Sequence, residues 1–288
     1  MSVFKAATVQ MRSGLDPARN AADFEALVRE AAGRGASYVQ SPEMTGALVR
    51  DRETLRRIVK DEAGDLVVAA AQRLSAELEI AIHVGSTAIA LPGGKVANRA
   101  FLFDQTGALV AIYDKIHMFD VDLDNGESWR ESATYQPGER GVVATLAGVP
   151  FGLAICYDLR FPQLFRAQAL AGAAVLSAPA AFTRQTGQAH WHVLTRARAI
   201  ENGAWLIAAA QGGLHEDGRE TFGHSVIVDP WGVVVAEIAG DEPGIALAEI
   251  DPRASAAARA KIPNLQNARE FGVDVVAEAG APVRRAAS

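Results

Sequence analysis

VPFGLAICYDLRFPQLF (149–165) decides how this chain reads. Residues 149–155 are apolar or glycine and lead into Cys156, the only cysteine among 288 residues. A short continuous apolar run suits a buried strand. Pro162 suits the first helical turn, where its missing N–H costs nothing. The stretch therefore predicts a strand over 149–156, a turn, and a helix over 162–172. A strand-to-helix turn thrusts its side chain out of the sheet and leaves backbone N–H groups beside it. Hydrolases with a serine at such an elbow use those groups as an oxyanion hole. Cys156 thus has two readings. Free cysteine is among the most buried residue types and commonly acts as a small hydrophobe. At this turn it also suits a nucleophile, which needs a base.

The pattern outside this stretch repeats the strand–helix alternation. VFKAATVQ (3–10) reads as a buried strand, and Asp16-Pro17 as N-cap and first helical residue. Phe24, Leu27, Val28 and Ala31 follow at i, i+3, i+4 and i+7, one apolar helix face. SYVQSPE (37–43) predicts a strand stopping at Pro42, and a helix follows around 65–79. IAIHVGSTAIAL (80–91), NRAFLFD and ALVAIYDK predict strands joined by the turns PGGK and QTG. Residues 116–140 are polar and irregular. After 172 come the strand AVLSAPAAF, a helix over 189–202, and the strands AWLIAAAQ, GHSVIVD, VVVAE and GIALAEID. Helix-separated strands and hairpins together imply an α/β fold with mixed sheets. Two sheets face to face, covered outside by helices, would bury every apolar face. No linker or repeat divides the chain, so 1–275 reads as one domain and 276–288 as a flexible C-terminal tail.

Composition narrows the function. Apolar residues make up 49% and charged residues 22%, as in soluble globular proteins. The net charge is −6 and no basic cluster exceeds the Arg pairs at 56–57 and 284–285, so neither nucleic acid nor an anionic membrane is an expected partner. One cysteine rules out an internal disulfide framework, which points to the reducing cytoplasm. No signal peptide and no membrane-spanning run are expected.

Two further strand ends carry ionisable groups. SPEMTG (41–46) places Glu43 past one strand, and YDKIHMFD (113–120) places Lys115 at the end of another. Either residue alone is ordinarily a solvated surface group. Glu, Lys and Cys at three strand ends of one α/β fold is a different observation, because such sheets gather their sites at carboxyl ends of strands.

These three motifs, in this order and spacing, resemble the Glu-Lys-Cys triad of the carbon–nitrogen hydrolase (nitrilase) superfamily. The resemblance covers roughly 3–272. WRESATYQPG (129–138) matches the region of a second family glutamate, here Glu131. GQAHWHVLTRARAIENGAW (187–205) and FGHSVIVDPWG (222–232) resemble the branch with omega-amidase and deaminated-glutathione amidase. The resemblance implies an α-β-β-α sandwich, usually dimerised, with no cofactor and a small-molecule amide as substrate. It also implies a thioester on Cys156, with Glu43 as proton shuttle and Lys115 and the Tyr157 backbone N–H facing the oxyanion. Glu131 would hold Lys115 or position the substrate nitrogen. For Glu43 to act near neutral pH its pKa is expected to rise through burial. The same triad serves N-carbamoyl-amino-acid amidohydrolases and true nitrilases, and a silent scaffold would not need all three residues.

For a carboxylate-bearing amide, Arg160 and Arg184 are the expected binding cations, with Arg160 alternatively pairing Asp158 or Glu131. His117, two residues beyond Lys115, is a pocket residue or the base of a Cys-His alternative. HWH (190–192) looks metal-like, but i and i+2 point to different helix faces and no further ligands are evident, so no metal is expected. Phe165, Leu170, Trp191 and Leu194 are expected on the interface of a homodimer or higher homo-oligomer.

Overall fold

The computed structural model describes residues 2–122, 128–275 and 284–285. Its first half contains β1 (Phe4–Gln10), α1 (Pro17–Gly33), β2 (Tyr38–Gln40), α2 (Arg52–Ile58), α3 (Leu66–Leu78), β3 (Ala81–Ala90), β4 (Val96–Phe103) and β5 (Leu109–Asp114). The hairpin β6 (Asp120–Asp122) and β7 (Ser128–Arg130) follows. The second half contains β8 (Val142–Leu146), β9 (Val149–Leu153), α4 (Pro162–Leu170), β10 (Val175–Ser177), α5 (Arg184–Asn202) and β11 (Trp205–Ala208). It closes with β12 (Gly212–Leu214), β13 (Glu220–Phe222), β14 (Val226–Val228), β15 (Val234–Glu237), β16 (Gly244–Ile250) and α6 (Arg253–Lys261).

Two six-stranded mixed sheets form the α/β sandwich, in the orders β16-β1-β2-β3-β4-β5 and β15-β14-β11-β10-β9-β8. In each, three parallel strands sit between antiparallel neighbours, and a helix joins each parallel strand to the next. The two halves therefore share one pairing pattern without sharing a sequence repeat. Alternation along β1 explains the layering. Ala6 joins the core containing Tyr38, Phe151 and Leu206 between the sheets, while Ala7 and Val9 pack with Phe24, Val28 and Leu74 of α1 and α3. Phe165 of α4 and Trp191 of α5 cover the second sheet.

Several expectations shift at their edges. Asp16 caps α1 by accepting from Ala18 N–H, and Asp65 caps α3 by accepting from Val67 and Val68. α5 starts five residues earlier than expected because Thr183 accepts from Thr186 N–H and opens the helix there. The strand before Cys156 ends at Leu153, and Cys156 opens a 3-10 turn, Cys156–Arg160. Phe165 and Trp191 are fully covered by their own chain, so neither can serve an interface; Leu170 on α4 is 63% exposed. The expected tail 276–288 lies outside the described residues, except that Arg284–Arg285 pair with Asp274–Val275. Among the described residues no helix is long and apolar enough to cross a membrane.

Candidate active site

Four loop segments at carboxyl ends of strands meet where the sheets face each other. From the first sheet, the turn after β2 carries Glu43, and the residue after β5 is Lys115. From the second, the turn after β9 carries Cys156, and the segment after β10 carries Ala181. Both Met44 (φ 56°) and Cys156 (φ 48°) hold left-handed backbone, a strained state for residues with a Cβ. The bond from Cys156 N–H to the Pro179 carbonyl, at 2.8 Å, fixes the elbow. Gly85 of β3 is equally required: a Cβ there would come within 2.0 Å of the Ser41 carbonyl oxygen, so only glycine lets β3 approach the turn carrying Glu43.

Lys115 Nζ donates to Glu43 Oε1 at 2.8 Å and to Glu131 Oε2 at 2.8 Å. Asn98 of β4 bridges the same carboxylates, donating to Glu43 Oε1 at 2.9 Å and Glu131 Oε1 at 3.1 Å. Ala181 N–H donates to Glu43 Oε2 at 3.0 Å, and Phe119 N–H to Glu131 Oε2 at 2.7 Å. Gln211 Nε2 donates to the Glu43 carbonyl at 3.0 Å. The Glu43 carboxylate is thus held from both sheets. Lys115 is 2% exposed at its side chain and Glu43 6%, so their attraction is little screened by water.

The charges set the protonation states. Burial alone would raise the Glu43 carboxyl, as expected from sequence. The adjacent Lys115 ammonium and the hydrogen bonds overcome burial and hold Glu43 below its ordinary value. That corrects the expected direction. Burial also works against the Lys115 ammonium, but Glu131 and Glu43 outweigh it and push its pKa well up. For Cys156, burial and then the Glu43 charge push the thiol well up, with Lys115 opposing. The resting state is therefore a neutral thiol beside an ionised Glu43 and a charged Lys115. The carboxylate is free to accept the thiol proton as substrate is attacked.

A cavity of about 300 Å³ opens over these groups, lined by Glu43, Lys115, Glu131, Cys156, Tyr157 and Arg160 among others. Arg50, Arg52 and Arg219, which the sequence reading did not single out, also line it. Arg50 and Arg219 both stack on Trp129, at 4.8 and 4.3 Å from its ring centroid. The expected Arg160 pairing with Asp158 or Glu131 is not made. Arg160 lies over Phe182 and meets His190 Nδ1 at 3.3 Å. Asp158 is instead a buried anchor, accepting from Tyr113 Oη at 2.6 Å and Ile155 N–H at 2.9 Å. His117 joins that anchor at 2.6 Å and stacks on Phe161; it does not line the cavity. Nor does Arg184, whose guanidinium is taken by Glu220 and Asp241. Asn98 and Gly85 were missed, and Asp158 was expected only as a partner of Arg160, because inside strands and turns they carry no pattern of their own.

The sequence profile of the carbon-nitrogen hydrolase family matches residues 5–260. The chain belongs to the carbon–nitrogen hydrolase family. A deaminated glutathione amidase of Synechocystis sp. is 39% identical to this hydrolase over 274 residues, 93% of this chain and 98% of the relative. The Caenorhabditis elegans NitFhit protein superposes with a TM-score of 0.84 at 30% identity, covering 93% of this chain and 66% of that one. An amidase from Nesterenkonia sp. AN1, whose structure was solved as a double mutant in complex with acrylamide, superposes at 0.78 with 26% identity, covering 92% and 94%. The nitrilase-like sandwich expected from the three motifs is the fold this hydrolase has.

Proposed function

We propose that this hydrolase is a cysteine amidase that converts a small carboxylate-bearing amide to its acid and ammonia through a thioester on Cys156. The observation that carries the reading is the buried set of Cys156, Glu43 and Lys115 beneath a cavity walled by arginines. Glu43 takes the thiol proton as sulfur attacks the amide carbon, and the Lys115 ammonium with the Tyr157 N–H meets the charge that develops on oxygen. Glu43 then protonates the leaving nitrogen, and ammonia departs. In the second half Glu43 deprotonates water, which attacks the thioester, and the thiol regains its proton. Glu131 keeps Lys115 in place. The test is ammonia release from a panel of ω-amides, N-carbamoyl amino acids and nitriles, with intact-mass spectrometry after rapid quench. The expected result is turnover of amides and an acyl adduct that Cys156→Ala lacks. Full turnover by Cys156→Ala, or preference for nitriles or carbamoyl compounds, would overturn it.

The cavity also supports an amide whose far end is anionic. Among the described residues, Arg50, Arg52 and Arg160 line the cavity and have no carboxylate partner. An arginine fork grips a carboxylate with two bonds, worth about 1.5–3 kcal/mol each. A keto-acid ω-amide is therefore expected to exceed the same chain without its carboxylate by at least about tenfold in kcat/KM. Arg160→Leu should erase that preference and spare turnover of the neutral amide. Equal kcat/KM for both amides in the unsubstituted enzyme would remove the anionic group from the reading.

A further inference from the structure

Away from the cavity, three ligating atoms from three separate elements converge. His192 lies on α5, His224 in the connection between β13 and β14, and Glu237 at the end of β15. His192 Nε2 lies 2.8 Å and His224 Nδ1 2.7 Å from the same Glu237 oxygen, Oε1. All three ligand atoms lie within 4.8 Å of one another. The sequence reading set HWH aside because one helix cannot aim both histidines at one ion. It was right about the helix: His190 turns to Arg160. Folding supplies the missing partners from elsewhere in the chain.

We infer that His192, His224 and Glu237 form a binding site for a divalent transition-metal ion of the zinc class. Two imidazoles and a carboxylate suit a borderline-soft ion, with water completing the shell. Zinc–ligand bonds of ~2.0–2.2 Å place tetrahedral donors about 3.3–3.6 Å apart. The two histidine–glutamate spacings, 2.8 and 2.7 Å, must widen by about half an ångström or more, and the two histidine nitrogens, within 4.8 Å of each other, must reach the same tetrahedral spacing, which side-chain rotation provides. Without an ion, the ring nitrogens facing Glu237 carry the protons shared with it. On binding, each proton moves to the other ring nitrogen or leaves to solvent, and the lone pair turns to the metal. The surroundings hold the ligands in place. Phe222 stacks on the His224 ring at 4.3 Å between centroids. The Trp191 indole N–H donates to the His224 carbonyl at 2.7 Å. His224 itself holds a left-handed backbone, φ 58°, a strained conformation that aims the ring at Glu237. Partial exposure of all three side chains leaves an entry path.

An ion there clips α5 to β15. The first turn of α5 supplies Thr186, and its cap Thr183, to the wall of the catalytic cavity. The site is therefore structural, steadying that wall and taking no part in the reaction. The test uses full-length Cys156→Ala protein, so that the thiol cannot hold the metal, dialysed against Zn²⁺ at micromolar concentration. The expected result is one equivalent of Zn²⁺ per chain. His224→Ala and Glu237→Gln, each added to Cys156→Ala, should weaken binding at least about tenfold. Saturating Zn²⁺ should raise Tm by about 5 °C, and His192→Gln should abolish that rise. His192→Gln alters a partly exposed helix position, so it serves even where His224→Ala does not fold. No bound Zn²⁺, or Zn²⁺ binding by the His192→Gln and Glu237→Gln proteins as tight as that of the Cys156→Ala parent, would overturn the site.

Discussion

Glu43→Gln is expected to lower kcat/KM by about 10²–10⁴-fold, the usual worth of a general base, while the chain stays folded. Glutamine keeps the shape and the acceptor facing Lys115 and Asn98, but it cannot take the thiol proton. Its amide nitrogen would meet the Ala181 N–H, a clash of two donors that costs about 1–3 kcal/mol of stability. His117→Ala should lose far less activity, because His117 contacts Asp158 and Phe161 and does not line the cavity. Steady-state kinetics on the best amide, beside a urea melt, separates these effects. A dead His117→Ala with an active Glu43→Gln would restore the Cys-His alternative. The pH profile carries the same argument with a sign. Glu43 is held below its ordinary value, so its basic form persists through neutral and weakly acidic pH. The kcat/KM plateau should extend below the ordinary carboxylate range before activity falls. The raised thiol stays protonated across that plateau, so no further rise in activity from a resting thiolate is expected as pH climbs through the ordinary thiol value.

Lys115→Met carries the largest expected cost in stability. Removing one partner of a buried ion pair leaves an uncompensated charge and typically costs 3–5 kcal/mol. Here two carboxylates are stranded, since Lys115 contacts both Glu43 and Glu131. We expect a destabilisation of about 3–5 kcal/mol near neutral pH, read as a shift in urea midpoint, and loss of turnover with it. The two proteins should respond to acid in opposite directions. In the native chain the depressed Glu43 contributes stability above the ordinary carboxylate value, and that stability is lost as pH falls through the folded-state value. In Lys115→Met the charge that chiefly opposed burial is gone and only hydrogen bonds such as that from Asn98 still oppose it, so Glu43 takes up a proton more readily than in the unfolded chain, and acidification narrows the deficit. The Lys115 contribution itself is fully present below the ordinary lysine value and fades as pH rises through its raised value. A deficit that does not change between neutral and acid pH would contradict this account.

The sequence was most informative where local chemistry and chain direction coincide. Glu43, Lys115 and Cys156 each follow a strand, and strand ends are visible as apolar runs that stop. The helices with an apolar face and a capping residue, such as α1 behind Asp16, were equally readable. α2 was not, because it buries only Leu55 and, apart from Ile58 at its end, its other positions are polar. An apolar helix face looks the same in sequence whether its own sheet or a second subunit covers it, which is why Phe165 and Trp191 were assigned to an interface. The direction of the Glu43 shift depends on a 2.8 Å contact across 72 residues of chain, which no local pattern encodes. Arg184 was read as a loop cation, but Thr183 turns that loop into a helix and leaves Arg184 facing Glu220 and Asp241.

The division of the site between the two sheets makes catalysis a gauge of how the halves of the sandwich sit. In the proposed mechanism base and ammonium ride on one layer and nucleophile on the other, and the rings of Tyr38 and Phe151, stacked at 5.1 Å, lie between the layers. A slip of about 1 Å between reacting groups can cost ~10²-fold in rate, yet it leaves each layer's hydrogen-bond ladder intact. Turnover should therefore fade before helix and strand signals do as this protein is warmed, and a sample that looks native by circular dichroism can already be an idle enzyme.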